Sequence, residues 1–499
     1  MKDETPTTEK TIKNKIIRPY LFKKLFFIWT GKINLFIIFK IFFLSFFVIP
    51  KKVTFDIQFL DMEVVLIKAF QLILSLSILV VLHEFGHYIP AKLFGCRVEK
   101  FYLFIDWPFT FFKKKIGETE FGIGALPLGG YVKISGIVDE SFDTDHTSSE
   151  PKEWEFRSKP AWQRLIILLG GVTVNFIVGF LLYMMIMFVW GKTVITEENL
   201  NSGFKVSELM QEVGFSDGDK ILTVDGKEIV DQFDINKMLF TRGLTEVQVI
   251  SEDGGRKIVN IPENIGTRMM ESGQMLSFIP VPDIVIDSVI SGLPASYAGL
   301  TKGDIISRVN GSKIYEMDDF DSNKSVNADY MELEILRNGS LFDVTIPFDS
   351  EDKVIGINIM NQMPKPTKLN YGFFESIQVG FDYGYWTLYD YVAQFQYIAT
   401  KAGASQLGGF GTIGKIFPAA WDWQRFWETT ALLSIILAFM NLLPIPALDG
   451  GHVMFVLYEM VSGRKPNEKF MEYATYIGLF LLLGLFIYAN GMDVVRALN

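Results

Sequence analysis

The residues best able to do chemistry stand together in VLHEFGHYIP, residues 81–90: His83, Glu84 and His87. Residues four apart on a helix share a face, with Cβ atoms about 5–6 Å apart. Two imidazoles so placed can meet one metal ion, at about 2.0–2.1 Å per bond. Glu84, next to His83, can lean beside the ion without ligating it and accept a proton from water. The chain has four His, and two of them make this motif. The stretch before it, VVLIKAFQLILSLSILVVL (64–82), is almost wholly apolar. Uncompensated polar groups are costly in hydrocarbon, so the sequence calls for a bound metal there.

A catalytic metal needs a third protein ligand and an open position. AFMNLLPIPALDGGHVMF (438–455) supplies Asp449, an acid in an apolar run with no nearby Lys or Arg. A buried carboxylate of that kind should be paired or metal-bound. Pro444 and Pro446 interrupt the helix, which a membrane tolerates only beside protein or a wet cavity. His452 is a rival ligand, and the two Gly before it read as a turn that carries it away. His146, in SFDTDHTSSE, reads as solvated.

Four apolar segments can position these groups across a membrane, near 64–90, 162–190, 427–448 and 472–491. Eleven Lys and Arg lie between 92 and 164, and Arg464, Lys465 and Lys469 lie between the last two segments. Positive loops mark the cytoplasmic side, so the long insert 191–426 faces out and HEFGH sits near the cytoplasmic face. The expected organisation is a first span at 62–92, a membrane-associated loop with a β-hairpin at 93–160, and a second span at 161–191. A third span at 426–450, a cytoplasmic loop at 451–471 and a fourth span at 472–492 close the unit.

The insert holds an internal repeat of about 85 residues. GDKILTVDGKEI in 192–275 aligns with GDIISRVNGSKI in 276–362, each a Gly-Asp turn, a short strand and a D-G or N-G hairpin. Residues 370–425 begin with an aromatic-rich amphipathic stretch, read as a helix or helix pair lying on the outer leaflet.

Bulk composition agrees. Hydrophobic residues make up 49% of 499, and the formal net charge is −10. A chain lacking a basic excess is not a nucleic-acid binder. The single cysteine, Cys96, excludes a disulfide framework or a Cys-rich metal site and reads as a packed apolar residue. Residues 1–61 hold eleven Phe among Ile and Lys, and 33–49 is long enough to approach a span. Two readings stay open there: an extra membrane anchor, or translation of AT-rich DNA upstream of a start at Met62.

HEFGHY at the end of a first span, paired with NLLPIPALDGG before the last, resembles the site-2 protease family of intramembrane zinc metalloproteases. The order of segments and the two outer modules resemble its regulator of sigma-E protease-like branch, over about residues 62–499. LPASYAGLTKGDIISRVNG looks like a PDZ sequence; in the first module GFSDGD stands in place of AGLTKGD. The resemblance implies a polytopic α-helical membrane protein with four core transmembrane helices and two β-rich PDZ-like domains between helices 2 and 3. It implies zinc on His83, His87 and Asp449, with Glu84 as general base. Asn441, eight before Asp449, matches the family asparagine that holds substrate backbone. ALPLGGYVK (125–133), with Gly129 and Gly130, matches a membrane-inserted hairpin that presents an edge to extended substrate. Asn175, in LGGVTVNF, matches a second-helix motif and is expected to contact substrate, although Gly171-Val172 stands where the family has Gly-Pro. LGGFGTIGKI (407–416) resembles a further family loop.

The implied activity is zinc-dependent cleavage of single-span membrane proteins in a bacterial inner membrane, with the modules on the periplasmic side. The implied substrate is an anti-sigma factor already trimmed outside, with signal-peptide remnants next, and membrane lipid is the surrounding partner. Two other classes compete. A non-catalytic PDZ scaffold explains the modules but not Glu84 beside a metal site. An ion transporter would spread polar groups over several helices, whereas here they concentrate on two.

Overall fold

A computed structural model of the chain describes residues 59–127, 129–137, 151–251, 254–323, 329–348, 354–398 and 400–498. The expectations for residues 1–58 and for His146 lie outside these. The chain divides into two units, Met1–Glu63 and Val64–Asn499. Of the first, only the start of helix α1 is described.

Helix α1, Phe59–Leu93, carries HEFGH in its last third. Pro90 lies inside it and has no N–H, which leaves the Gly86 carbonyl without its helical donor. That carbonyl faces helix α2, Ala161–Val189. A Cβ built on Gly170 would overlap the Gly86 oxygen, and one on Gly86 would overlap the Gly170 oxygen. The two backbones therefore touch, as small residues permit where membrane helices cross. Val172, in place of the family proline, keeps its N–H, and α2 runs unbroken through it.

Between α1 and α2 lies a four-stranded sheet of β1 (Val98–Leu103), β2 (Ile105–Ile116), β3 (Thr119–Leu126) and β4 (Tyr131–Ile134). The order is β2-β3-β1-β4, so β4 is an edge strand, entered directly from Gly129 and Gly130. Cys96 is buried in the apolar cluster under this sheet, with Val98, Ile134 and Ile167.

The insert forms two β-rich modules with matching pairings. Arg256–Asn260, Glu246–Ile250, Lys220–Val224 and Lys227–Glu228 follow one another in the first sheet. Ser340–Pro347, Tyr330–Arg337, Ile305–Val309 and Ser312–Lys313 pair in the same way in the second. The turns match bond for bond. The Ser216 amide donates to Asp219 Oδ2 at 2.8 Å, and the Thr301 amide to Asp304 Oδ2 at 2.8 Å. Asp225 and Asn310, the hairpin residues of D-G and N-G, both take positive φ, 47° and 50°. The second module adds Asp283–Val289 and Ile357–Gln362 to its sheet, where the first has only a separate two-stranded pair, Phe204–Val206 with Phe278–Pro280.

The aromatic segment is one helix, α3, Phe373–Ile398. It packs lengthwise along α2, with Phe373 on Phe188, Phe381 on Phe180 and Tyr383 on Tyr183 at ring centroids of 5.7, 5.0 and 5.0 Å. LGGFGTIGKI contains a short helix, α4, Phe410–Ile416, rather than only a glycine turn.

Among the described residues, three helices are long and apolar enough to cross a membrane: Met62–Leu93, Ala161–Val189 and Lys469–Leu498. The stretch expected to be one span at 426–450 is divided. Helix α5, Trp423–Leu442, stops before Pro444 and Pro446, and helix α6, Asp449–Ser462, starts at the aspartate. The prolines lack amide donors and disfavour helical conformation in the residues before them. Ala447, between the two helices, is held at φ 95°. Helix α5 falls short of lipid-facing apolarity because it is packed inside protein: Thr429, Thr430 and Ser434 are buried, and the Ser434 hydroxyl donates to the Asn175 carbonyl at 2.7 Å. Arg164 ties α2 to α6 through Glu459 at 2.5 Å. The last helix, α7, Glu468–Leu498, returns past the α5–α6 connection and, through Asp493, accepts from the Gly409 and Thr412 amides at 3.0 Å each.

Candidate metal centre

His83 and His87 share one face of α1, and Asp449 reaches them from the first turn of α6. His83 Nε2 lies 3.2 Å from Asp449 Oδ2, His87 Nε2 3.4 Å from the same oxygen, and the two Nε2 atoms 3.2 Å from each other. Three ligands about 2.0–2.1 Å from a tetrahedral centre stand about 3.3 Å apart. The triangle therefore fits a single zinc ion, with two imidazoles and one carboxylate as its donors. Among the described residues these three alone form such a group.

The room for them comes from α2. A Cβ on Gly171 would sit 2.6 Å from His83 Cε1 and 2.7 Å from His83 Nε2, and would overlap His87 Nε2. Gly171 thus forms the bare floor under both rings. His87 is oriented from behind, its Nδ1 2.8 Å from the Ile167 carbonyl oxygen, which leaves Nε2 facing the centre. His83 Nδ1 faces the Asn175 amide, whose Nδ2 is 3.2 Å away.

A cavity of about 790 Å³ opens beside the triangle. Glu84, Asn175, Asn441, Gly129 and Gly130 all line it with the three ligand residues. Gly130 brings the hairpin onto α1: a Cβ there would lie 2.6 Å from the Tyr102 carbonyl, 2.8 Å from Val80 Cγ1 and 3.4 Å from Glu84 Cγ. Gly129 holds φ +146°, which favours glycine. Asn441 sits in the last turn of α5. His452 also lines the cavity, from the first turn of α6, and stands outside the ligand triangle. The glycines before it are helical rather than a turn, so three-residue spacing keeps His452 near the Asp449 face of α6 instead of carrying it away.

Lys100, Asp106 and Tyr131 also line the cavity, among apolar residues. Lys100 Nζ pairs with Asp106 Oδ2 at 3.0 Å, and Tyr102 stacks on Tyr131 at 5.4 Å. Burial opposes the Asp106 charge, but the Lys100 ammonium and the Tyr131 hydroxyl hold its carboxyl below the ordinary value. Burial, and then the bond to Glu120, pushes the Tyr102 hydroxyl up to about 12.

Sequence reasoning missed Gly86 and Gly170 as parts of the site, and named Gly171 only as a motif position, not as the floor under the imidazoles. Their signal was present, since glycines inside long apolar helices mark close approaches.

A profile of peptidase family M50 matches residues 71–485. The regulator of sigma E protease of Haemophilus influenzae is 29% identical over 446 residues, 85% of this chain and 98% of its own length. A Borreliella burgdorferi protein named as a zinc metalloprotease is 28% identical over 84% of this chain and 98% of its own. The metalloprotease MmpA of Caulobacter vibrioides is 26% identical over 86% of this chain and 96% of its own. A family match over most of the length, and relatives aligned nearly end to end, agree with the three-donor centre: the chain belongs to peptidase family M50 and is a membrane zinc metalloprotease.

Proposed function

We propose that this protease cuts single-span transmembrane proteins within the membrane, near its cytoplasmic face. His83, His87 and Asp449 hold the zinc, Glu84 is the general base, and Asn441 and the Gly129–Gly130 hairpin position substrate. The observation that carries the reading is the ligand triangle, with Glu84 and the edge strand β4 lining the same cavity.

Helical peptide bonds are shielded, so a substrate helix must unwind before it is cut. The unwound strand adds to the free edge of β4, which supplies backbone partners that hydrocarbon lacks. Bound zinc supplies Lewis acidity and lowers the pKa of water. Glu84 accepts the proton of the attacking water as its oxygen adds to the scissile carbonyl. The same carboxyl then passes that proton to the amine as the C–N bond breaks. Asn441 donates from its amide to the substrate backbone.

In this reading α5 and α6 together supply the membrane crossing expected of a third core helix, alongside α1, α2 and α7. The two modules are PDZ-like domains on the periplasmic side of a bacterial inner membrane. There they exclude substrates that still carry bulky outer domains. The name of the Haemophilus relative points to an anti-sigma factor, trimmed beforehand, as the substrate.

The test pairs Glu84→Gln with wild type on a tagged single-span reporter lacking its outer domain. Cleavage is expected to stop while zinc stays bound. Equal cleavage by both proteins would assign the cut to another enzyme and return the non-catalytic scaffold reading.

A further inference from the structure

The two ligand imidazoles need partners on their outer nitrogens. A neutral imidazole that gives Nε2 to a metal carries its proton on Nδ1, and metal-bound histidines donate that proton to a carboxylate, a carbonyl or water. His87 has such a partner in the Ile167 carbonyl, 2.8 Å from its Nδ1. His83 turns its Nε2 to Asp449 and His87, so its Nδ1–H must find an acceptor elsewhere.

The group at His83 Nδ1 is the Asn175 side-chain amide, with Nδ2 at 3.2 Å. In that orientation two donors face each other, while Asn175 Oδ1 is buried without a hydrogen-bond partner. Turning the amide by half a revolution replaces the donor–donor contact with a hydrogen bond, because its oxygen and nitrogen occupy nearly the same positions, and Nδ2 then takes the buried place that Oδ1 held. Asn175 Oδ1 then accepts the Nδ1–H of His83.

We infer that Asn175 is a positioning residue for the metal centre: it accepts from His83 Nδ1–H and so presents His83 Nε2 to zinc. The helix is built for this. Asn175 lies one turn beyond Gly171 on the same face of α2. Gly171 leaves space under the ring, and Asn175 grips its far nitrogen. Asn175 is 1% exposed, and its own carbonyl accepts from the Ser434 hydroxyl at 2.7 Å, which fixes its place between α2 and α5. This assigns the amide to His83 rather than to substrate, the role that the motif resemblance implied. It rests on the reading of His83 as a zinc ligand.

The test measures zinc retention by the purified full-length chain against a graded chelator, alongside KM and kcat on the single-span reporter. Asn175→Leu keeps the branched outline, with a somewhat larger volume, and removes the acceptor; Asn175→Asp keeps an acceptor. Loss of the hydrogen-bond partner of a metal-bound imidazole weakens metal binding by about 10–100-fold. Asn175→Leu is expected to lose zinc at correspondingly lower chelator, with Asn175→Asp holding it as wild type does. Unchanged zinc retention in Asn175→Leu with a raised KM would overturn the inference in favour of substrate contact. Equal loss in Leu and Asp variants would overturn it in favour of a packing role. His83→Ala run beside them tests the reading beneath: if it retains zinc like wild type, the ligand set itself is wrong.

Discussion

Gly171 of α2 lies directly beneath His83 of α1, so close that a Cβ on the glycine would come 2.6 Å from the ring. The metal centre thus depends on a hydrogen atom where every other residue has a carbon. Gly171→Ala is expected to displace one or both imidazoles and to lower zinc affinity by at least about tenfold. Overpacking of this kind costs about 1–3 kcal/mol in a close-packed interior. Zinc content after dialysis and reporter cleavage should fall together; a variant with full zinc and full activity would refute the packing argument.

The hairpin should be separable from the metal. Gly130→Ala pushes the loop against the Tyr102 carbonyl and Val80, and moves it away from Glu84. Cleavage of a single-span reporter is expected to fall by about tenfold or more, with zinc retained, because no ligand is touched. Gly129→Ala acts through φ alone, at about 1–3 kcal/mol of backbone strain, and should be the milder of the two.

The first module is fastened to α3 by a buried ion pair. Asp390 accepts from Arg242 Nε and Nη2 at 2.9 and 2.8 Å and from the Thr241 hydroxyl at 2.6 Å. Arg242 also lies over the Trp386 ring at 4.1 Å. Removing Arg242 leaves the buried Asp390 carboxylate to the more distant Lys237, 3.8 Å away, at up to about 3–5 kcal/mol. Arg242→Met should therefore lower the thermal unfolding temperature in detergent, and Asp390→Asn added to it should recover part of the loss. Additive losses in the double variant would show that the pair carries no coupling.

Acid should loosen the second module first at its Gly-Asp turn. Burial opposes the Asp304 charge, but the Arg337 guanidinium and the Thr301 amide hold its carboxyl below the ordinary value. A depressed folded-state pKa contributes stability above the unfolded value of about 4, lost as pH falls through the folded one. The stability difference between wild type and Asp304→Asn should be full at neutral pH and shrink in acid below about pH 4. Hydrogen exchange of residues 301–337 in the full chain reads this directly; a gap that widens in acid would reverse the sign.

The sequence by itself determined the chemistry. His83, Glu84 and His87 are legible because four-residue spacing on a helix is a local geometric fact. Asp449 is legible because an acid without a cation in an apolar run needs a partner. The repeat was legible for the same local reason: Gly-Asp and D-G or N-G turns encode their own backbone shapes, and the matching bonds at Asp219 and Asp304 follow. Only the tertiary structure decided how the helices meet. Pro444 and Pro446 mark the interruption in the sequence, but that a separate helix α6 starts at Asp449 and brings it to the α1 histidines is a tertiary fact. The near-contact of Gly86 with Gly170, the floor at Gly171 and the approach of Asn175 to His83 are interhelical relations. No periodicity within one helix specifies which face of another it will touch, because that is set by the joint fit of both surfaces.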